Sequence, residues 1–353
     1  MNKHPVTIKD IARELGVSPS TVSRALKDHP DIGVETKRMV RELVEKLNYK
    51  PNSIALSLRS RKSHIIGVIV PQMVHHFFSS VISGIEEVSM EKGYNVMIFQ
   101  SNEEYEREVL NTRSLISSRV DGVLVSIAKT SHRFTHFKEI IKNDIPLVFF
   151  DRVCDQIETD KVVVDDFTGA LEAVEYLIKT GCTRIAHFAA PQHMQIGYRR
   201  QRGYISALEK NGLPVNDALI VKCDTHDDAL VMTEKVMKSI IPPDAIFAVN
   251  DLTATGILKA LKKLNLRVPE DVSVIGFTDG LVATVTDPPL TTVSQHGFEL
   301  GKKAAEILLD RITSGIEFKD PVTEVLPTTL IIRESTRPFN PNVTHDNLRK
   351  IGA

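Results

Sequence analysis

The chain has 353 residues, 42% hydrophobic and 25% charged, with 44 Lys/Arg against 45 Asp/Glu and a formal net charge of −1. That length and balance fit a globular protein with a small domain plus one or two larger lobes, and no apolar stretch approaches the length that spans a bilayer. The near-zero charge argues against a nucleic-acid partner only until it is divided. Residues 1–62 carry 13 Lys/Arg and 7 Asp/Glu, a net +6, so the remainder carries −7. One end is therefore attracted to phosphates and the rest is not.

In chain order, the first element is a helix starting at Thr7, a capping residue with Asp10 three positions on, followed by Ile8, Ile11, Ala12 and Leu15 at helical spacing. Gly16 stops it. Ser18 and Pro19 supply a second N-cap and first-turn proline, so another helix begins only two residues after the glycine. Val22, Ala25 and Leu26 face the first helix, which leaves Pro19, Ser20, Thr21, Ser23 and Arg24 on the outer side. Small hydroxylic groups and an arginine suit hydrogen bonds to phosphates and base edges, and Arg24 can pair bidentately with guanine. Thr7 and Ser18, at the two helix starts, join that set of DNA-facing residues. A third helix is expected over 34–47, with Val34, Met39, Val40, Leu43, Val44 and Leu47 as its apolar stripe. The segment 52–62 has Ile54, Ala55 and Leu58 on one face and a basic end, too little apolar area for an independent helix.

From Ser63 onward, short apolar runs at 65–70, 96–99, 122–127, 147–150, 185–189, 245–249 and 272–277 alternate with amphipathic helices. This is the pattern of parallel sheets covered on both faces, with too many units for one sheet and a break near residues 162–166, so two lobes are expected. The three cysteines, Cys154, Cys182 and Cys223, are far apart and in no CxxC pairing, which reads as buried thiols rather than a disulfide framework or a zinc site.

Residues 6–62 resemble the DNA-binding and hinge segments of the LacI/GalR family of bacterial transcription regulators, and the resemblance continues to about Pro338. It implies an all-α helix-turn-helix head (1–48), a hinge helix (49–62) and an α/β two-lobed periplasmic-binding-protein-like (type I) core (63–339), followed by a tail (340–353). Lobe 1 is expected over about 63–163 and 292–325, lobe 2 over about 164–291 and 326–339, with the chain crossing three times; 290–295 and 324–333 are the expected later crossings. The resemblance also implies that two hinge helices form on the operator and wedge Leu58 into the minor groove, with Asn52, Ala55 and Arg59 beside it. Such a wedge costs unstacking energy and opens the groove to more contacts.

In doubly wound sheets ligands bind at the carboxyl ends of the strands, and two lobes place two such ends face to face. The residues just past the expected strands are Phe77 and Phe78, Asp151 and Arg152, Asn250 and Asp251, and Thr278 and Asp279. Arg200 and Gln295 are added by the family resemblance. Carboxylate, arginine and amide around aromatic rings suit a polyhydroxylated ligand. Each also has a structural role open to it: Asp151 or Asp251 can cap a helix, Asn250 can close a turn, and the Phe pair can belong to a lobe core. Of the cluster Arg199, Arg200 and Arg202, one is expected to point inward.

The chain departs from the family pattern at three places. Thr278 stands where many members carry a ligand-contacting Asp, Thr225 where several carry an aromatic ring, and Met194 and Ile196 where the purine-binding branch is polar. A purine effector is thereby disfavoured, leaving a sugar or sugar derivative.

Catalysis is not expected. There is no Gly-rich phosphate loop after the first strand, no GxSxG elbow and no metal-spaced His pair, and adjacent His75 and His76 point in different directions. No cofactor or metal is called for. The alternative reading is a solute-binding or ligand-sensing protein without DNA output, which the basic head opposes. One head reads few base pairs, so a homodimer on a palindromic operator is expected, through helices near 78–92 and 107–118. The tail lacks apolar heptads that would support a coiled coil. The first residues lead into a helix with no apolar signal region, so a cytoplasmic, nucleoid-associated location is expected.

Overall fold

The computed structural model describes residues 6–49, 62–314 and 320–339, so the expected hinge residues Asn52, Ala55, Leu58 and Arg59 and the tail lie outside the described residues. The chain divides into two compact units, residues 1–64 and 65–353.

The first unit is three helices, α1 (Ile8–Glu14), α2 (Pro19–Leu26) and α3 (Val34–Lys46). The Asp10 carboxylate accepts from the Thr7 amide at 3.0 Å and the Thr7 hydroxyl at 2.7 Å. Gly16 leaves the helix at φ +66°, a conformation in which a side chain is strained. Ser18 then caps α2 by accepting the Thr21 amide at 3.0 Å. Ile11, Ala12, Val22, Ala25, Val40 and Leu43 form the buried centre. The expected stripe on α3 was too wide. Val34 is 83% exposed and Met39 is also exposed, because the packed face of α3 falls on Val40 and Leu43 while Val34 sits at the first position of the helix.

The second unit contains two six-stranded sheets. The first has the order β11–β5–β4–β3–β1–β2, built from β1 (Ile65–Val70), β2 (Asn95–Gln100), β3 (Gly122–Val125), β4 (Leu147–Phe150), β5 (Asp160–Val164) and β11 (Thr323–Leu326). The second has the order β12–β10–β9–β8–β6–β7, from β6 (Ile185–Ala189), β7 (Ile220–Lys222), β8 (Ala245–Ala248), β9 (Ser273–Thr278), β10 (Thr291–Ser294) and β12 (Thr329–Ile331). All neighbours are parallel except β10 and β12. Helices α4 (His76–Glu91), α5 (Tyr105–Ser117), α6 (Thr135–Lys142) and α12 (Gly297–Ser314) belong with the first sheet, and α7 (Asp166–Lys179), α8 (Gln195–Lys210), α9 (His226–Met237), α10 (Asp251–Lys263) and short α11 (Leu281–Val285) with the second.

The chain changes lobe after β5, after β10 and between β11 and β12. Residues 162–164, the first part of the break read from the sequence at 162–166, belong to the ordinary strand β5, which pairs β4 and β11, and the passage begins just after them. Likewise β10 pairs with β9 in the second sheet, which moves the expected return to lobe 1 from residue 292 to just past Ser294. Strands this short, next to a passage between lobes, are assigned by their partners and not by their own pattern.

Close helix packing sets the wall of the first lobe. A Cβ on Gly84 of α4 would stand 2.1 Å from the Phe298 carbonyl of α12, and one on Gly301 would stand 2.0 Å from that of Val81. The two helices therefore meet backbone to backbone, which holds the start of α4, and with it Phe77, against the start of α12.

Candidate effector cleft and DNA-reading helix

In the head, Pro19, Ser20 and Arg24 are exposed on α2, and Thr21 and Ser23 are partly so. The Ser18 hydroxyl lies 2.7 Å from that of Ser20 and 2.8 Å from that of Thr21, giving a cluster of hydroxyls at the helix start. Among the described residues Arg24 has only a loose ion pair, 4.0 Å to exposed Asp31, so its guanidinium can be redirected at little cost. Such a surface can follow a phosphate backbone and present a bidentate donor to a base edge.

In the core, the carboxyl ends of both sheets face a cavity of about 700 Å³, within the usual range for small-molecule sites. Seven of the eight expected effector residues line it: Phe77, Phe78, Asp151, Arg200, Asn250, Thr278 and Gln295. Asp279 is not among them. Its carboxylate binds Arg333 at 2.7 Å, because the chain leaves β9 through two residues at positive φ (Thr278 at +141°, Asp279 at +61°). For a threonine such a backbone is costly, and strain of this kind collects at functional sites. The Thr278 hydroxyl in turn donates to buried Gln295 at 3.2 Å.

Asp151 follows β4 at φ +58°, is buried, and accepts from the Ser126 hydroxyl at 3.2 Å. Burial pushes its pKa up to about 6, against the partly compensating charge of Arg152. Arg152 itself is held by Glu103, whose two oxygens lie 2.8 and 2.7 Å from one guanidinium nitrogen. Burial works against the charged form of Glu103, but Arg152 and the Lys129 amide outweigh it and keep its pKa low. Phe77 and Phe78 open α4 and meet edge to face at 5.2 Å; they are both core and cavity wall.

From the second lobe, Arg200 is the one of its cluster that turns inward. It donates to Asp166 at 2.7 Å and to the Val249 carbonyl at 2.5 Å, with its guanidinium carbon 3.7 Å over the Phe277 ring. Asn250, for which the sequence left a turn-closing role open, instead takes the capping role offered to Asp251: it caps α10 by accepting the Thr253 amide at 2.8 Å, and its amide donates to the Asp224 carbonyl at 3.2 Å. It lines the cavity from that fixed position. Asp251 is buried, accepts from the Gly280 amide at 2.8 Å and the Thr292 hydroxyl at 2.5 Å, and burial raises its pKa to about 6.

Among the polar residues of the cleft that escaped the sequence reading are three charged ones, Glu103, Lys129 and Asp224. Lys129, from the first lobe, makes a 2.6 Å ion pair with Asp224 of the second, and its carbonyl accepts from the His193 ring at 3.0 Å. All three follow β2, β3 or β7, so the same carboxyl-end rule that found Asp151 would have reached them. All three cysteines are buried and free. Among the described residues, no helix is long and apolar enough to cross a membrane and no three His, Cys, Asp or Glu side chains are grouped to hold a metal ion.

A basic helix-turn-helix unit joined to a two-lobed core with a small-molecule cleft defines a ligand-controlled, DNA-binding transcription regulator. Residues 7–52 match the family described as bacterial regulatory proteins, lacI family, and residues 174–336 match a periplasmic binding protein-like domain. The transcriptional repressor PurR of Vibrio campbellii is 34% identical over 95% of this chain and 99% of its own length. Among solved structures, the Lac repressor dimer bound to operator and the anti-inducer ONPF superposes with a TM-score of 0.83 at 26% identity, covering 95% of this chain and 100% of that one. A complex of the regulator CelR with cellobiose gives a TM-score of 0.71 at 29% identity, covering 94% and 99%. The chain belongs to the LacI family of bacterial regulatory proteins. The relatives PurR and CytR are named as transcriptional repressors.

Proposed function

We propose that this regulator binds a palindromic operator as a cytoplasmic homodimer, usually to repress, and that a sugar, sugar acid or sugar phosphate held between the lobes sets its affinity for DNA. The observation that carries the ligand class is the convergence of Asp151, Arg200, Asn250 and Gln295 with the Phe77–Phe78 pair on one cavity. Paired donors and acceptors beside aromatic faces match a molecule whose every hydroxyl both donates and accepts while its ring faces are apolar. The cellobiose complex of CelR supports this class. Met194 and Ile196, both on the cavity wall, add apolar contact where a purine would need polar partners.

Effector binding closes the cleft, lobe 1 turns against its partner in the dimer, and the spacing of the two hinges decides whether both Leu58 wedges enter the groove. Linkage makes the coupling reciprocal, typically about 1–3 kcal/mol. Helices α4 and α5 leave Met90 and Leu110 exposed, which is where the dimer contact is placed in this reading. The test is selection of bound duplexes from a random library by the full-length protein, repeated with a panel of sugars and sugar phosphates. Enrichment of a palindrome with a flexible central step, shifted by one sugar, is the expected result; no enrichment under any condition overturns the DNA-binding reading.

A further inference from the structure

We infer that the cleft is built for an uncharged effector and turns away phosphorylated and carboxylated ones. This rests on the reading of the cavity as the effector site and narrows its ligand class. Three strong cations line the cavity, and each is already neutralised by a protein carboxylate: Arg152 by Glu103 at 2.7 Å, Lys129 by Asp224 at 2.6 Å and Arg200 by Asp166 at 2.7 Å. These pairs are not loose surface contacts. Arg200 and Asp166 are 4% and 3% exposed, Arg152 and Glu103 16% and 19%. A phosphate that captured one of these cations would strand a desolvated carboxylate beside the new anion, and an unpaired buried charge costs more than one new ion pair returns.

The remaining charge deepens the bias. Asp151 and Asp251 also line the cavity, are buried, and have no cation committed to them at hydrogen-bond distance; Asp151 has Arg152 no nearer than 3.9 Å. Five carboxylates thus stand around three cations, and an arriving anion meets net negative charge at low local dielectric. The same carboxylates are well suited to neutral hydroxyls, since an ionised carboxyl accepts strong hydrogen bonds from O–H donors. Thr278 fits this balance, because its hydroxyl, donating to Gln295, leaves its oxygen free to accept from a ligand hydroxyl without adding a charge.

The test uses inorganic phosphate as the probe, with the full-length protein at constant ionic strength and pH 8, above the ordinary titration range of imidazole. Binding is read by calorimetry and by the shift in thermal unfolding. Wild-type protein is expected to show no saturable phosphate binding. Asp224→Asn, which leaves Lys129 without its partner, and Glu103→Gln, which does the same for Arg152, should each show saturable phosphate binding, at least about tenfold tighter than the detection limit that bounds wild type, the worth of one charge-assisted hydrogen bond. Adding Lys129→Ala to Asp224→Asn should abolish that gain, which locates it in the cleft. Saturable phosphate binding by the wild type that is lost on Lys129→Ala or Arg152→Ala overturns the inference, and so does the absence of any gain in the correctly folded Asp224→Asn protein. Because no sugar enters these measurements, failure of the sugar reading would register separately, as absence of response to glucose, galactose, ribose and cellobiose in parallel titrations.

Discussion

The acids of the head and the acids of the cleft are governed by opposite forces. On the head, Asp10, Asp28 and Glu35 sit in water, and their pKa values are lowered by hydrogen bonds and charges from Thr7, Lys37 and Arg38 respectively. In the cleft, Asp151 and Asp251 are raised to about 6, chiefly by burial. The head keeps its polar groups solvated and redirectable, as a surface that meets a hydrated polyanion must. The cleft has already removed its groups from water and matched most of them with one another. One region is organised for a large, charged partner and long-range attraction, the other for a small molecule whose fit is decided by individual hydrogen bonds.

The largest effect that would sharpen this contrast comes from Arg200→Ala. It strands Asp166 in the core and removes the contact over Phe277, so the stability of the core should fall by about 3–5 kcal/mol in urea unfolding. Replacing Asp166 by Asn in the same protein should recover part of the loss, because no buried charge then lacks a partner. Equal loss with and without that second change would mean that the ion pair is not what the arginine supports.

A smaller effect follows from pH. For a carboxyl raised on folding from 3.8 to about 6, the native state holds the proton more tightly than the unfolded chain. Stability from Asp151 and Asp251 is therefore greatest below the unfolded value and is lost as pH rises through about 4 to 6, by order of 1–3 kcal/mol for each group. Buried His187, whose pKa burial lowers to about 4, acts in the opposite sense over about pH 4 to 6.5, so the carboxyl effect is read as a difference: between pH 4.5 and 7.5 the wild-type core should lose stability relative to Asp151→Asn as pH rises. The acids of the head act in the opposite sense: their contribution is present above the unfolded carboxylate value and is lost as pH falls through their lowered native values. A difference profile in which Asp151 contributes with the same sign as the acids of the head would break the comparison.

Arg24→Ala should weaken binding to the preferred operator by roughly 1–3 kcal/mol while leaving effector binding and thermal stability intact. Equal weakening on random DNA would reduce Arg24 to a phosphate contact. The smallest effect is expected from Ser18→Ala, which removes the cap of α2 and should cost the head about 1 kcal/mol, read as a lower unfolding midpoint of the head alone.

The head was legible because its signals are local. Thr7, Gly16, Ser18 and Pro19 each act within a turn of their own position, and the structure places them at the helix boundaries they predict. Only the width of the α3 stripe was misjudged, since Val34 has the right spacing but no neighbour to cover it. In the core, β1, β4 and β6 were readable as continuous apolar runs buried on both faces. The short strands β7, β11 and β12 have partly exposed patterns that resemble loops, and β10 was read as a crossing.

By itself the sequence determined the two kinds of domain, the DNA-reading helix and the positions just past each strand where ligand chemistry collects, because caps, helical periodicity and apolar runs are properties of neighbouring residues. Tertiary structure alone decided which of those positions face the cleft and in what charge state. Asp279 and Thr278 are adjacent, yet one turns to Arg333 and the other to Gln295. Glu103 and Arg152 lie 49 residues apart and neutralise each other only because parallel crossovers return every strand end to the same edge of the sheet. Burial and long-range pairing set the electrostatics of the site, and neither is written in any local stretch of the chain.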